Sequence, residues 1–162
     1  MRKLAIGATL AVLGVTTAAM SIASASATPT STASNSVRVL HLISHQTSLQ
    51  VIDIGAKGTS PGDQVIETTV DFANGKQVDH SVLNCVAITV STSAFDVLCH
   101  GALIFKDGQV EFQGETNFQT PFTVAVTGGT GVYQNVGGQL TVERTLPGTT
   151  TDVETVRLVF FD

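Results

Sequence analysis

The chain has 162 residues, a formal net charge of −5 and 43% hydrophobic residues, a length that supports one domain beyond any leader. Eight basic residues against 13 acidic ones leave no cationic surface for a phosphate backbone or an anionic bilayer. Binding to nucleic acid and binding to membranes are therefore excluded as expectations.

The chain opens MRKLAIGATLAVLGVTTAAMSIASASA. Arg2 and Lys3 form a basic n-region, Leu4 to Val15 an apolar run, and Ala25-Ser26-Ala27 a small-x-small cleavage site. Residues 1–27 read as a secretory signal peptide, so the mature protein is expected outside the cell. The apolar run is shorter than the ~20 residues of a spanning helix. Thr28 to Ser36, TPTSTASNS, is polar and without periodicity, and reads as a flexible lead-in. The folded domain is expected over residues 37–162.

From there the pattern is strands and turns. VRVLHLIS, SLQVIDIG and QVIETTVDF come first, then VLNCVAITV and FDVLCHGALIF, then QVEFQGE, PFTVAVTG, GQLTVERT and ETVRLVFF. These eight or nine short runs are rich in Val, Ile, Thr and Phe. GAKGTSPGD, ANGK, KDGQ, TGGTG and LPGTTTD separate them. Such spacing predicts an all-β sandwich or barrel. In QVEFQ, Val110 and Phe112 share one face while Gln109, Glu111 and Gln113 share the other, the mark of a strand with one wet side.

Cys85 and Cys99 lie in adjacent strand patterns with Ser91, Thr92 and Ser93 as the turn. A hairpin centred on Thr92 sets the two cysteines directly opposite, and an exported protein favours joining them. The same register opposes Asn84 and His100. Val82, Val86, Ile88 and Val90 fall on one face of this hairpin, and Leu83, Cys85 and Ala87 on the other. Both faces are apolar. A barrel would bury one of them, and a second subunit is the simplest cover for the other.

The stretch AVTGGTGVYQNVGGQLTV, Ala125 to Val142, holds five glycines. It lacks the lysine and Ser/Thr of a Walker loop, breaks G-x-G-x-x-G at Gln134, and leads into a strand rather than a helix. Gly128, Gly129, Gly131 and Gly138 are therefore expected to turn the chain. His41 and His45 lie roughly 13 Å apart along one strand, too far for joint metal binding. No metal or other cofactor is expected.

AVTGGTGVYQNVGGQLTV closely resembles the signature loop of the allene oxide cyclase and dirigent superfamily. SPGDQV, with Gly62 and Asp63 as its turn, and FQGETNFQTPFTVAVTGGTG extend the likeness, which covers about residues 40 to 160. The resemblance implies an eight-stranded antiparallel β-barrel, lipocalin-like in shape, around a central apolar cavity and often trimeric. It implies an apolar small molecule as partner and chemistry of the cyclase, isomerase or dirigent type. Asp53 matches a cavity acid of dirigent proteins, although Ile52 replaces the histidine that precedes it there. A turn-capping Asp at the strand end is the alternative. Glu67 falls, with Val65 and Thr69, on the face that looks into the cavity in relatives. By hydrophobicity alone the opposite face, Ile66, Val70 and Phe72, belongs inside. Asn84 and His100 are further polar candidates for the cavity. Missing from Gln134 to Val136 is the arginine of many dirigent proteins. A non-catalytic carrier and a purely structural or interaction barrel are the competing readings.

Overall fold

The computed structural model describes residues 35–161, apart from the Arg144 side chain. The predicted signal peptide and the lead-in through residue 34 lie outside the described residues. Ser36, expected as the last residue of the lead-in, already opens the first strand.

Eight strands follow in chain order: β1 (Ser36–Ile52), β2 (Gln64–Ala73), β3 (Lys76–Val90), β4 (Phe95–Phe105), β5 (Gly108–Thr116), β6 (Phe122–Gly129), β7 (Val136–Thr145) and β8 (Thr151–Phe160). Each pairs antiparallel with its neighbour, and β8 closes on β1, so the sheet is a closed barrel without an edge. The two N-terminal runs expected as separate strands are one strand. Gln46-Thr47-Ser48 is a bulge, where the register against β2 slips by one residue and the Thr47 hydroxyl donates to the Thr68 carbonyl at 2.9 Å. The first part of β1 pairs with β8 and the last part with β2.

The cysteine hairpin keeps the expected register from Val82↔Ala102 to Ala87↔Val97, with Cys85 opposite Cys99 and joined to it. Beyond Ala87 a bulge at Ile88 shifts the pairing, and the turn holds four residues, Ser91 to Ala94, rather than three. The bulge also returns Val90 to the inner side, where it packs with Cys85, Ala87 and Val97. It does not share the outer face with Val82 and Ile88 as the unbroken alternation predicts.

One end of the barrel carries the longer connections, 53–63, 91–94, 117–121 and 146–150; we call it the mouth. The other end, the floor, carries the tight turn at Asn74-Gly75, the two-residue turn at Lys106-Asp107, and a short 3₁₀ segment, Gly131–Tyr133. Tyr133 plugs this end. Its ring lies 4.9 Å from that of Phe105 and 6.5 Å from that of Phe160, above a core of Leu42, Leu103, Val156 and Leu158. The glycines work differently along this loop. Gly128 and Gly129 are the last residues of β6 and Gly138 lies within β7, so none of the three makes the expected turn. Gly129 is required by close approach, since a Cβ there would lie 2.6 Å from the Tyr133 carbonyl oxygen. Gly131, at φ 62°, makes the turn itself.

Candidate acid-lined cavity

Side chains alternate across each strand, and the interior they define has two unlike walls. β4 to β7 contribute Leu103, Phe112, Phe122, Val124, Leu140 and Val142. β2, β3 and β8 contribute acids. Glu67, Thr69 and Asp71 alternate inward on β2, Asp79 and Ser81 on β3, and Asp152 and Glu154 on β8. Between the walls lies a cavity of about 130 Å³, rimmed on the mouth side by Phe118 and Thr120.

Glu67 lies inside, as the resemblance implies. The more apolar face of β2, Ile66, Val70 and Phe72, is on the outer wall, where Phe72 meets the His45 ring edge-on at 5.4 Å. Burial pushes the Glu67 carboxyl above its usual range, opposed by a 2.9 Å hydrogen bond from the Gln46 amide. Glu154 is pushed up to about 8 by burial and by the charges of Asp71, Asp152 and Glu67. Asp152 accepts from the Thr145 hydroxyl at 2.6 Å.

Below the cavity, Asp71 and Asp79 are direct cross-strand partners, both buried. The Thr69 hydroxyl donates to Asp71 Oδ1 at 2.7 Å, so at its 2.6 Å contact with Ser81 it accepts. Asp71 Oδ2 and both Asp79 oxygens have no donor in reach. Two ionised carboxylates cannot be held so. A proton on Asp79 answers both problems, and its carboxyl is pushed up to about 9 by burial and by Asp71. The site is thus a chain of polar groups from Asp79 through Asp71, Thr69 and Ser81 to the cavity surface.

The other expected site residues lie elsewhere. Asp53 falls just past the end of β1, where its carboxylate accepts from the Gly58 amide at 3.0 Å, so it caps a turn of the 53–63 loop. It borders a separate groove at the mouth with Val51, Val65 and Phe95, and does not face the acids. Asp63 is the anchor of that loop. It accepts from the amides of Ile54 at 2.8 Å and Ser60 at 2.7 Å, which hold its carboxyl below the usual range. Asn84 and His100 oppose each other as expected, but on the outer wall, in a groove with Ile66, Val82 and Glu111. They are not cavity residues, because their parity is opposite to that of Cys85 and Cys99. Asn84 donates to Gln64 at 3.3 Å, and its own carbonyl oxygen has no partner.

Asp71, Asp79, Asp152 and Glu154 were not singled out by the sequence reading. The signal for them was parity: Asp152 and Glu154 are in phase with Val156 and Leu158, and Asp79 with Leu83 and Cys85.

No protein-family model matches the chain, and no curated protein matches it in sequence. Solved structures do. Pyocyanin demethylase superposes with a TM-score of 0.67 and 27% identity, over 75% of this chain and 99% of that one. AbnU, an exo-specific intermolecular Diels-Alderase, gives 0.61 and 13%, over 76% and 98%. A pterocarpan synthase dirigent protein, GePTS1, gives 0.62 and 16%, over 79% and 86%. The chain has the barrel fold of these proteins. Within that fold, the signature glycines of this barrel serve its floor, while the acids sit between floor and mouth.

Proposed function

We propose that this barrel is a secreted acid–base catalyst that cyclises or isomerises a small apolar molecule. The observation that carries the reading is the pairing of an acid wall with an aromatic and aliphatic wall across one cavity. The apolar wall holds a ring-sized body, and the acids move a proton on it. Glu154, pushed up to about 8, suits either proton donation or acceptance near neutral pH. Glu67 is the second catalytic candidate. The Asp71–Asp79 pair keeps a proton in reach through the Thr69 and Ser81 hydroxyls. Solved barrels of this fold include a Diels-Alderase and a dirigent protein, which supports chemistry on small organic molecules here.

The outer face of β1 to β4 supports a further part of the reading, self-association into a homotrimer. Val39, Ile43, Val82, Ile88 and Leu98 are all exposed there, and a second copy would cover them.

Native mass spectrometry of the secreted protein tests subunit number and any co-purifying ligand together. A discrete small mass that Glu154→Gln and Glu67→Gln retain but no longer convert supports catalysis. Equal conversion by both variants would remove these acids from the mechanism. Retention by wild type with no conversion would favour a carrier.

A further inference from the structure

Resting on the acid–base reading of the cavity, we infer that its ligand is an organic cation, a protonated nitrogen on a ring-sized apolar body. Five carboxyl groups face the interior: Glu67 and Asp71 from β2, Asp79 from β3, and Asp152 and Glu154 from β8. From β1 the facing groups are the neutral Ser44 and Gln46, and from β4 to β6 they are apolar. Among the described side chains, no lysine or arginine lines the cavity. Arg38 belongs to the floor, beside Tyr133. Asp79 and Glu154 therefore hold protons where a buried cluster ordinarily has a counter-cation.

The cluster has an orphan as well as charge. Asp79 is 5% exposed and Asp71 fully buried, and with the Asp79 proton directed at Asp71 the second Asp79 oxygen is still without a donor. Both point inward, one step below the hydroxyls of Thr69 and Ser81 that line the cavity. An ammonium carries several donors and matches such a set. Its organic body is fixed by the opposite wall. Phe112, Phe118 and Phe122 present three aromatic rings to the same space, and ring faces attract cations. A metal ion is a poorer match. The acids are strung along the wall, and among the described residues no three of His, Cys, Asp or Glu converge as ligands. The volume sets the size, since a dry cavity of about 150 Å³ takes one benzene ring, close to the 130 Å³ here.

Binding then exchanges charge for protons. A carboxyl that is neutral in the empty cavity ionises beside the ammonium, and its proton passes to water. Affinity for a cation therefore rises with pH across the range in which the ammonium itself stays charged. A neutral hydrogen-bond acceptor behaves in the opposite sense, because it needs the carboxyl protons.

The test compares benzylammonium with its neutral isostere benzyl alcohol, by titration calorimetry on the disulfide-bonded protein in buffers of different ionisation enthalpy. We expect the ammonium to bind at least tenfold more tightly, its affinity to rise several-fold from about pH 5.5 to about pH 7.5, and protons to be released. Glu67→Gln and Asp152→Asn should weaken the ammonium several-fold more than they weaken the alcohol. Equal or tighter binding of the alcohol, or ammonium affinity that falls with pH, overturns the cation while leaving acid–base chemistry on a neutral ligand in place. Failure of both probes to bind protein with a native circular dichroism spectrum overturns the cation and the cavity reading together.

Discussion

The two walls of the cavity are built on the same barrel, with the same pleat, and do opposite work. The β4 to β7 wall is aliphatic and aromatic, and it is what folding gains. The β2, β3 and β8 wall buries carboxyl groups at a cost that folding alone does not explain. A substitution that weakens the first wall should act on stability. One on the second should act on protons, and in places should stabilise the fold. The contrast teaches where to look for function in such a barrel: on the strands whose inner parity turns from apolar to acidic.

The largest effect should come from the apolar wall. The Phe112 ring fills the space over Gly101, where a Cβ would meet its Cζ at 2.6 Å. Phe112→Ala should cost about 3–5 kcal/mol, read by urea unfolding. A loss under about 1 kcal/mol would mean that this wall does not support the barrel. Next is the disulfide, which closes a loop of sequence separation 14. Its removal in Cys85→Ala/Cys99→Ala should cost about 3 kcal/mol.

The acid wall is broken by pH. Asp79 and Glu154 are raised to about 9 and about 8 from 3.8 and 4.5, and Glu67 is raised as well. Over the window between those values the folded state holds protons that the unfolded chain has released. Stability therefore falls as pH rises, by about 2 kcal/mol from mildly acidic to alkaline solution. Asp63, whose carboxyl is lowered, acts in the reverse sense and only in stronger acid. In Asp79→Asn the alkaline loss should shrink. A thermal-melting series that is flat from pH 5 to pH 9 in wild type would contradict the neutral acids. The smallest effect belongs to the rim. Phe118 is held at φ 61°, a rare conformation for an aromatic residue. Phe118→Gly removes that strain along with the ring's contact to Phe95, so stability should change by less than about 1 kcal/mol. Ligand exchange measured by stopped flow should become faster.

The barrel and its disulfide were legible because period-two alternation and hairpin register are local properties, and because the extra turn residue and the bulge at Ile88 offset each other before the count reaches Cys85 and Cys99. The continuity of β1 was not legible. Gln46-Thr47-Ser48 is polar enough to pass for a turn, and only pairing with β2 and β8 together shows it to be a bulge. Glu67 divided the sequence reading, since hydrophobicity put Ile66, Val70 and Phe72 inside. It failed there because this barrel is apolar on the outside of β1 to β4. The remaining acids were hidden by place. Asp71, Asp79 and Asp152 stand close to turn sequences, where an Asp ordinarily caps or meets solvent.

The closure of the barrel has a practical consequence. Ser36 pairs with Phe160, and the Phe161 amide donates to the Asn135 carbonyl at 2.9 Å. The described chain thus enters and leaves at the plugged end, away from Phe118 and Thr120. A purification handle, a surface linker or a fused reporter attached at either side would hang beneath the vessel and leave its opening clear. A support joined beside Ser36 or Phe161 would still let small molecules be offered from above.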